Sequence, residues 1–416
     1  MKKVYIVAAK RTPIGAFIGS LKDTSVGQLA AIAIKGALEA SNVSPDAINE
    51  VILGNVISAG QGMGIGRQAA IFAGIPLTVP AYAINMVCGS GMKAVMDAVA
   101  HIRCDDANIV VAAGAENMSQ IPFATSGSLR SGQKMGEIRL KDLLVSDGLT
   151  DVYNQYHMGM TAENVAELVG LSRAQQDSYA TQSQQKAVAA VENGRFKDEI
   201  VPVEIKQRHQ TIFFDTDEYP KSDTTQENLN KLSPAFNLEG TVTAGNSSGL
   251  NDGASAIIVA SESAVQRLGL KPLAEICSYA QVGLDPKIMG LGPVGAVTEA
   301  LKKAKIFIAD VDLFELNEAF AAQALGVIHQ LADAHNVSPD TIIEKANVNG
   351  GAIALGHPLG ASGNRILVSL IHELEKREGT YGVASLCIGG GMGIAMIIKR
   401  ASTNECNTPL NLITYT

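Results

Sequence analysis

Apolar positions along the chain fall into short continuous runs separated by stretches of helical spacing. Val4–Val7 is a brief apolar run closed by Lys10-Arg11, which reads as a first strand and not as a signal peptide. Val26–Ala40 places Ala and Leu on one helical face. Glu50–Asn55 is a short apolar strand ending at Asn55, and the glycine-rich Gly60–Gly74 becomes helical at Arg67–Phe72. Tyr82–Met86 is a strand that runs into Cys88, Met92–Arg103 is a helix, and Asn108–Ala113 is a buried strand. Strands alternating with helices of this length predict a parallel sheet with helices on its faces.

The second half of the chain repeats this grammar. Ala300–Lys305 is helical and is followed by a strand, Asp312–Leu316, that stops at Asn317, much as Ala37-Leu38 precedes the strand that stops at Asn55. Ser362-Gly363 opens a helix, Ile366–Lys376, as Ser90-Gly91 does, and Ser385–Met392 matches Val111–Met118. A period of about 270 residues is far too long for a solenoid and predicts two related α/β halves. Residues 121–249 break the pattern. They hold irregular polar sequence, including Gly127–Gly136 and Thr211–Asn230, with helices at Glu163–Val169 and Ala174–Glu192, the latter preceded by a Ser172 cap. They are expected to form an inserted loop domain. The expected division is residues 1–120 with 250–270 for the first half, 121–249 for the insertion, 271–400 for the second half, and a polar, frayed tail over 401–416.

Composition narrows the function. The 416 residues are 46% hydrophobic and 18% charged, enough for a large core and more than one domain. A net charge of −8 argues against a nucleic-acid footprint. No apolar run approaches the ~18 residues that would span a bilayer. Five widely spaced cysteines suggest free thiols in a reducing cytoplasm, and the lack of CxxC or HExxH spacing gives no reason to expect a metal.

Three glycine-rich stretches carry candidate chemistry. Cys88 lies between a strand and a helix, where free N–H groups and the helix dipole would lower a thiol pKa and make a nucleophile. A buried structural thiol is equally compatible with this motif alone. Cys387 ends a strand and enters Gly389-Gly390-Gly391; it is either an acid/base thiol or, more simply, an inert buried one. His357, in Gly356-His357-Pro358, is held on a stiff loop at the mouth of a helix, or is merely solvated. Asn317 stands at a strand-to-helix junction, where it either serves an oxyanion or caps the helix. Gly245-Asn246-Ser247-Ser248-Gly249 matches GxSxG, but the following Leu250–Gly253 reads as loop and Ala254–Ala260 as strand, the wrong context for a serine hydrolase. His101, His209, His329, His335 and His372 read as solvated, and Cys104, Cys277 and Cys406 as incidental.

Taken together, Asn85–Gly91 (NMVCGSG), Asn317–Phe320 (NEAF), Gly356-His357-Pro358 and Cys387–Gly391 (CIGGG) resemble the thiolases, as do Arg11–Gly15 and Val111–Met118. The likeness spans about residue 3 to 400. It implies an α/β thiolase-like fold of two pseudo-repeated five-layer αβαβα halves with an inserted loop domain. Tyr156–Met160 resembles the biosynthetic members, whose His and Met shape a short acyl pocket; long-chain degradative members usually lack that histidine. The implied reaction is the reversible Claisen condensation of two acetyl-CoA to acetoacetyl-CoA and CoA, with a degradative 3-ketoacyl-CoA thiolase as the alternative. By resemblance, Cys88 is the acetylated nucleophile, His357 takes its proton, and Cys387 deprotonates the second acetyl-CoA. His357 with an Asn317-held water forms one oxyanion hole, and the N–H groups of Cys88 and Gly389 the other. The same resemblance puts Ser248, Ala244, Phe236 and Phe320 along pantetheine, Leu149, His157 and Met158 at the acyl end, and Lys221 at the nucleotide end. It implies no metal or organic cofactor, only CoA thioesters as substrates. It also implies a cytoplasmic homotetramer, a dimer of dimers, with Thr125–Ser146 as the tetramer loop.

Overall fold

In the computed structural model, which describes residues 2–206 and 210–401, alternation along each strand decides which helices it meets. Nine strands form one continuous sheet: β1 (Val4–Arg11), β2 (Glu50–Gly54), β3 (Ala81–Ile84), β4 (Ile109–Asn117), β5 (Asn251–Ser261), β6 (Ala274–Gly283), β7 (Leu313–Leu316), β8 (Tyr381–Ile388) and β9 (Met392–Arg400). Their order is β7-β8-β9-β6-β1-β5-β4-β2-β3, with the two-residue strand Gly15–Ala16 added at β5. The sheet is mixed, not parallel as the sequence predicts. β1/β5, β5/β4, β6/β9 and β9/β8 are antiparallel, whereas β4/β2 and β8/β7 are parallel. The cause is that each half is closed by a strand from its own C-terminal end, β5 inserted between β1 and β4 and β9 between β6 and β8. The pattern is the same in both halves, so the repeat read from glycines and helix starts is a repeat of topology.

The inner faces of both half-sheets pack on one pair of helices. These are α3 (Ser90–Arg103) and α8 (Leu359–Lys376), which share a core with Val4 and Ile6 of β1, Ile257 and Val259 of β5, and Ile394, Met396 and Ile398 of β9. The outer face of the first half, with Tyr5, Val7, Ile258 and Val111, packs on α1 (Val26–Ser41) and α2 (Ile65–Phe72). The outer face of the second, with Val383, Ala395 and Ile397, packs on α6 (Gly292–Ala304) and α7 (Ala321–His335). Helix, sheet, helix pair, sheet and helix give five layers.

Helix α8 is longer than the Ile366–Lys376 stretch read from the sequence. It starts directly after Pro358, and every residue from Leu359 to Ile371 is buried. Two of its polar residues bond to neighbouring elements: Asn364 Nδ2 donates to Ala112 O at 3.0 Å, its Oδ1 having no protein partner, and Ser369 Oγ donates to Glu199 Oε1 at 2.9 Å. The two central helices touch through glycine. A Cβ on Gly91 would sit 2.8 Å from both Asn364 N and Gly360 O, and one on Gly363 would sit 2.6 Å from Met92 N.

The inserted stretch contains α4 (Met158–Val169) and α5 (Arg173–Glu192), the latter opened by a Ser172/Gln175 capping box. Part of the segment expected to be irregular is a hairpin, Val203–Lys206 against Thr211–Phe214, followed by the short helix Gln226–Asn230. Val203 is buried with Ile205 and Phe214 packed beside it, but Phe213 stays 65% exposed, so polar and apolar positions do not alternate cleanly along the second strand. Arg11 ties the insertion to β1: its buried guanidinium bonds Asp217 through both Nη atoms and Glu199 through Nε. Residues 250–253, expected as loop, belong largely to β5, because Asn251 and Asp252 pair with Ala16 and Gly15. Several histidines are partnered rather than solvated: His101 with Glu50, His335 with Thr298, and His372 with the Ala9 carbonyl. His209, Cys406 and the tail beyond residue 401 lie outside the described residues.

Because the atoms facing Gly91 are backbone, neither helix has a side chain that can swing aside. Gly91→Ala is expected to lower stability by about 1–3 kcal/mol, read as a fall in the thermal midpoint by circular dichroism.

Candidate active site

The strand-to-helix turn that carries Cys88 is tightly wired. Asn85 Oδ1 accepts from Val87 N at 2.9 Å, and Asn85 Nδ2 donates to Val56 O at 3.0 Å. Ser90 Oγ accepts from Met86 N at 2.8 Å and donates to Val87 O at 2.7 Å. Val87 is forced to φ +46°, an outlier for a β-branched residue and a mark of stored strain. The turn delivers the Cys88 thiol to a cavity of about 360 Å³, where its own N–H and that of Gly389 act on the sulfur to favour its charged form.

His357 reaches the same cavity from the other half. Gly356, at φ +102°, leaves room for Asn251, whose Oδ1 accepts from His357 N at 3.0 Å. His357 Nδ1 lies 2.5 Å from Ser362 Oγ, and Ser362 donates its hydroxyl proton to Pro358 O at 2.9 Å. The proton in the first contact must therefore sit on Nδ1, which leaves the Nε2 lone pair free as a base. Asn317 Nδ2 stands 3.5 Å from that Nε2. Asn317 is buried and its Oδ1 has no protein partner, a geometry that could hold a water. The cap of the following helix is Phe320, so the capping alternative for Asn317 does not apply.

Cys387 closes the set at the end of β8, buried and lining the same cavity. Two sulfurs and one imidazole, separated by up to 299 residues in sequence, thus share one space. Leu149, His157, Met158, Phe236, Ala244, Ser248, Phe320 and Gly389 also line it. An aromatic wall forms from His157 stacked on Phe236 at 4.5 Å and Phe236 edge-on to Phe320 at 6.1 Å. His157 Nδ1 accepts from Gly159 N, so this imidazole is a structural part of the wall. Lys221 does not line the cavity; its ammonium lies 5.1 Å over the ring of Tyr219, which does.

Tyr219, Met118, Leu250 and Met289 also line the cavity and were not singled out by the sequence, where nothing distinguishes them from core residues. Glu116 was likewise passed over. Its carboxylate accepts from Val56 N, Ile57 N, Gly360 N and Asn55 Nδ2, tying the Asn55 turn to the start of α8. Burial pushes it up to about 7 against those donors. The only signal for it was its place in the strand end that the repeat matches to Cys387. Among the described residues no cluster of three or more His, Cys, Asp or Glu side chains is arranged as a metal ligand set.

One expectation is corrected. The Cys88 thiol is not lowered by its helix; burial pushes it up to about 11, with the Gly389 and Cys88 N–H groups only partly offsetting this. Burial, then the Arg365 charge, lowers His357 to about 4. At neutral pH the resting pair is thiol and neutral imidazole, not thiolate and imidazolium. Cys387 is raised further, by burial and then by the charge of Cys88.

A thiol, a free imidazole lone pair and a second thiol around a narrow apolar cavity suit acyl transfer between thioesters. The comparisons narrow that class. The thiolase N-terminal domain model matches residues 4–263 and the thiolase C-terminal domain model residues 270–400. The chain belongs to the thiolase family. It is 53% identical to an acetyl-CoA acetyltransferase of Cupriavidus necator over 96% of this chain and 100% of that protein. It is 52% identical to one of Chromobacterium violaceum, with the same shares covered. The crystal structure of human mitochondrial 3-ketoacyl-CoA thiolase in complex with CoA superposes with a TM-score of 0.90 at 47% identity, covering 96% of this chain and 98% of that one. The structure of the Syntrophomonas wolfei acetyl-CoA acetyltransferase gives 0.93 at 40% identity, over 96% and 100%.

A resting neutral thiol has a direct signature. Iodoacetamide labelling of Cys88, followed on its own peptide by mass spectrometry, should keep accelerating as pH rises from 7 to 10. A rate that levels off below pH 7 would mean a preformed thiolate.

Proposed function

We propose that this chain is an acetyl-CoA C-acetyltransferase, condensing two acetyl-CoA to acetoacetyl-CoA and CoA and catalysing the reverse thiolysis. The observation that carries the reading is the meeting of Cys88, His357 and Cys387 on one cavity of about 360 Å³. Sequence likeness of about 50% to acetyl-CoA acetyltransferases over nearly the full length supports it.

In this reading His357 Nε2 takes the Cys88 proton as the sulfur attacks the first thioester. The bond to CoA sulfur breaks, His357 returns the proton to the departing CoA, and acetyl-Cys88 remains. The N–H groups of Cys88 and Gly389 face the oxyanion of that step. Cys387 then passes its own proton to His357 Nε2 and, as thiolate, removes a methyl proton from the second acetyl-CoA; the enolate oxygen is met by the protonated Nε2 and a water held by Asn317. The enolate carbon attacks acetyl-Cys88 and gives acetoacetyl-CoA; the bond to Cys88 sulfur breaks, and the released thiolate takes the proton back from Nε2. Charge orders these events. An ionised Cys88 would oppose ionisation of Cys387; acetyl-Cys88 has no ionisable group, so Cys387 acts as base after the first step. Both sulfurs begin as weak acids, so proton transfer must accompany bond formation, for which a base held at the thiol is the economical solution.

Pantetheine is assigned to the channel of Phe236, Phe320, Ala244 and Ser248, the acyl end to Leu149, His157 and Met158, and the nucleotide to Lys221. The aromatic wall limits the acyl end, in keeping with a two-carbon donor. CoA thioesters are the substrates and no metal or organic cofactor is invoked. A homotetramer in the cytoplasm completes the proposal. Phe123, Met135, Ile138 and Leu140 are all more than half exposed on one arm, an apolar surface of the kind subunit contacts cover. The four described cysteines are free thiols, which suits a reducing compartment.

Mixed with acetyl-CoA, Cys88→Ala should gain no acetyl mass, whereas Cys387→Ala should gain it and fail to release acetoacetyl-CoA. Equal loss of acetylation in both variants would reject this division of labour. Thiolysis should favour acetoacetyl-CoA over medium- and long-chain 3-ketoacyl-CoA; the reverse preference would assign the chain to degradative thiolysis instead.

A further inference from the structure

Asn317 is followed by a residue whose chemistry the reaction does not use. Glu318 is 1% exposed and makes no direct ion pair among the described residues; Lys186, whose charge it meets, bonds Ala346 O instead. Its carboxylate collects four donors: Ser183 Oγ at 2.7 Å, Asn347 Nδ2 at 2.8 Å, Tyr179 Oη at 3.1 Å and Ile353 N at 3.3 Å. Burying a carboxylate without a direct ion pair is unfavourable, and an apolar side chain would serve stability better. The arrangement calls for another reason.

The reason lies in where the donors come from. Tyr179 and Ser183 are on α5 of the insertion. Asn347 and Ile353 belong to the glycine-rich stretch that ends in His357. Asn347 is itself bonded to the end of β7: its Oδ1 accepts from Leu316 N at 2.9 Å and its Nδ2 donates to Leu316 O at 2.8 Å. Gly351 is a glycine because of this carboxylate, since a Cβ there would lie 2.3 Å from Glu318 Cδ. Gly350, at φ +78°, is packed just as closely on Ser183 O. The segment leading to His357 is therefore folded around the side chain of the residue next to Asn317. One carboxylate fixes the strand end that presents the amide and the loop that presents the imidazole.

We propose that Glu318 is a positioning residue that sets the spacing between Asn317 Nδ2 and His357 Nε2, now 3.5 Å, and locks both to α5 of the insertion. The proposal rests on the roles given above to Asn317 and His357. A displacement of the order of 1 Å at such a pair can reduce rate about 100-fold.

Glu318→Gln tests it, because the amide keeps the shape but turns an N–H₂ toward donors of which Ile353 N and Asn347 Nδ2 cannot accept. The expected result is a 10- to 100-fold lower kcat for acetoacetyl-CoA thiolysis, on the order set by such misplacement, with KM changed less than about twofold. Combined with Asn317→Ala, Glu318→Gln should cost little more than Asn317→Ala alone, since both act on one pair. Ser183→Ala, which removes a single donor, should lose kcat in the same direction and show the same non-additivity, and it serves if Glu318→Gln does not fold. Wild-type kcat in Glu318→Gln and Ser183→Ala, or losses that multiply fully with that of Asn317→Ala, would overturn the proposal. If Asn317→Ala itself keeps its kcat, the role given to Asn317 fails, and this proposal with it.

Discussion

The approach of two buried helices governs this molecule. α3 and α8 lie between the half-sheets, and each begins beside a reactive side chain: Cys88 precedes α3 and His357 precedes α8. Their contact is backbone on backbone at Gly91, Gly360 and Gly363. A side chain there would part the helices, and with them the thiol and the imidazole. Gly114 of β4 joins the same contact, since its Cβ would fall 2.3 Å from Gly360 O. The pairing of a thiol and an imidazole from two halves of the chain thus follows from close packing where the two central helices meet.

Burial of this degree sets the electrostatics. The cavity disfavours charge, so both thiols rise and the imidazole falls. The polar groups that hold the site in place are accordingly carboxylates answered by N–H and O–H donors. Glu116 on the first half and Glu318 on the second each gather four such donors. Glu116 holds Gly360, three residues after His357, and Glu318 directly follows Asn317. Order in the site comes from these fixed dipoles more than from ion pairs.

Much of this was legible in the sequence, and what was not has physical reasons. Helix and strand positions in both halves followed from apolar spacing, and the repeat followed from glycines at helix starts, because those glycines are demanded by the shared central layer. Strand direction was not legible: β5 and β9 alternate and bury like parallel strands, and only their partners, far away in the chain, make them antiparallel. The hairpin at Val203–Phe214 was missed because its second strand is exposed. Cys88 was correctly placed at a helix start but wrongly assigned a low pKa, since a sequence displays the helix and not the apolar cavity around the sulfur. Ser362, which fixes the tautomer of His357, looks in sequence like one more small residue opening a helix.

The register of β1 has a consequence for how the chain is made. Val4 pairs with Ser261, and Tyr5 and Ile6 meet Glu275 and Ala274 on the other edge. Once synthesised, β1 therefore has no strand partner until some 250 further residues have followed. At usual synthesis rates of about 5–20 residues per second this amounts to tens of seconds with an apolar strand unpaired, a natural window for chaperone attention.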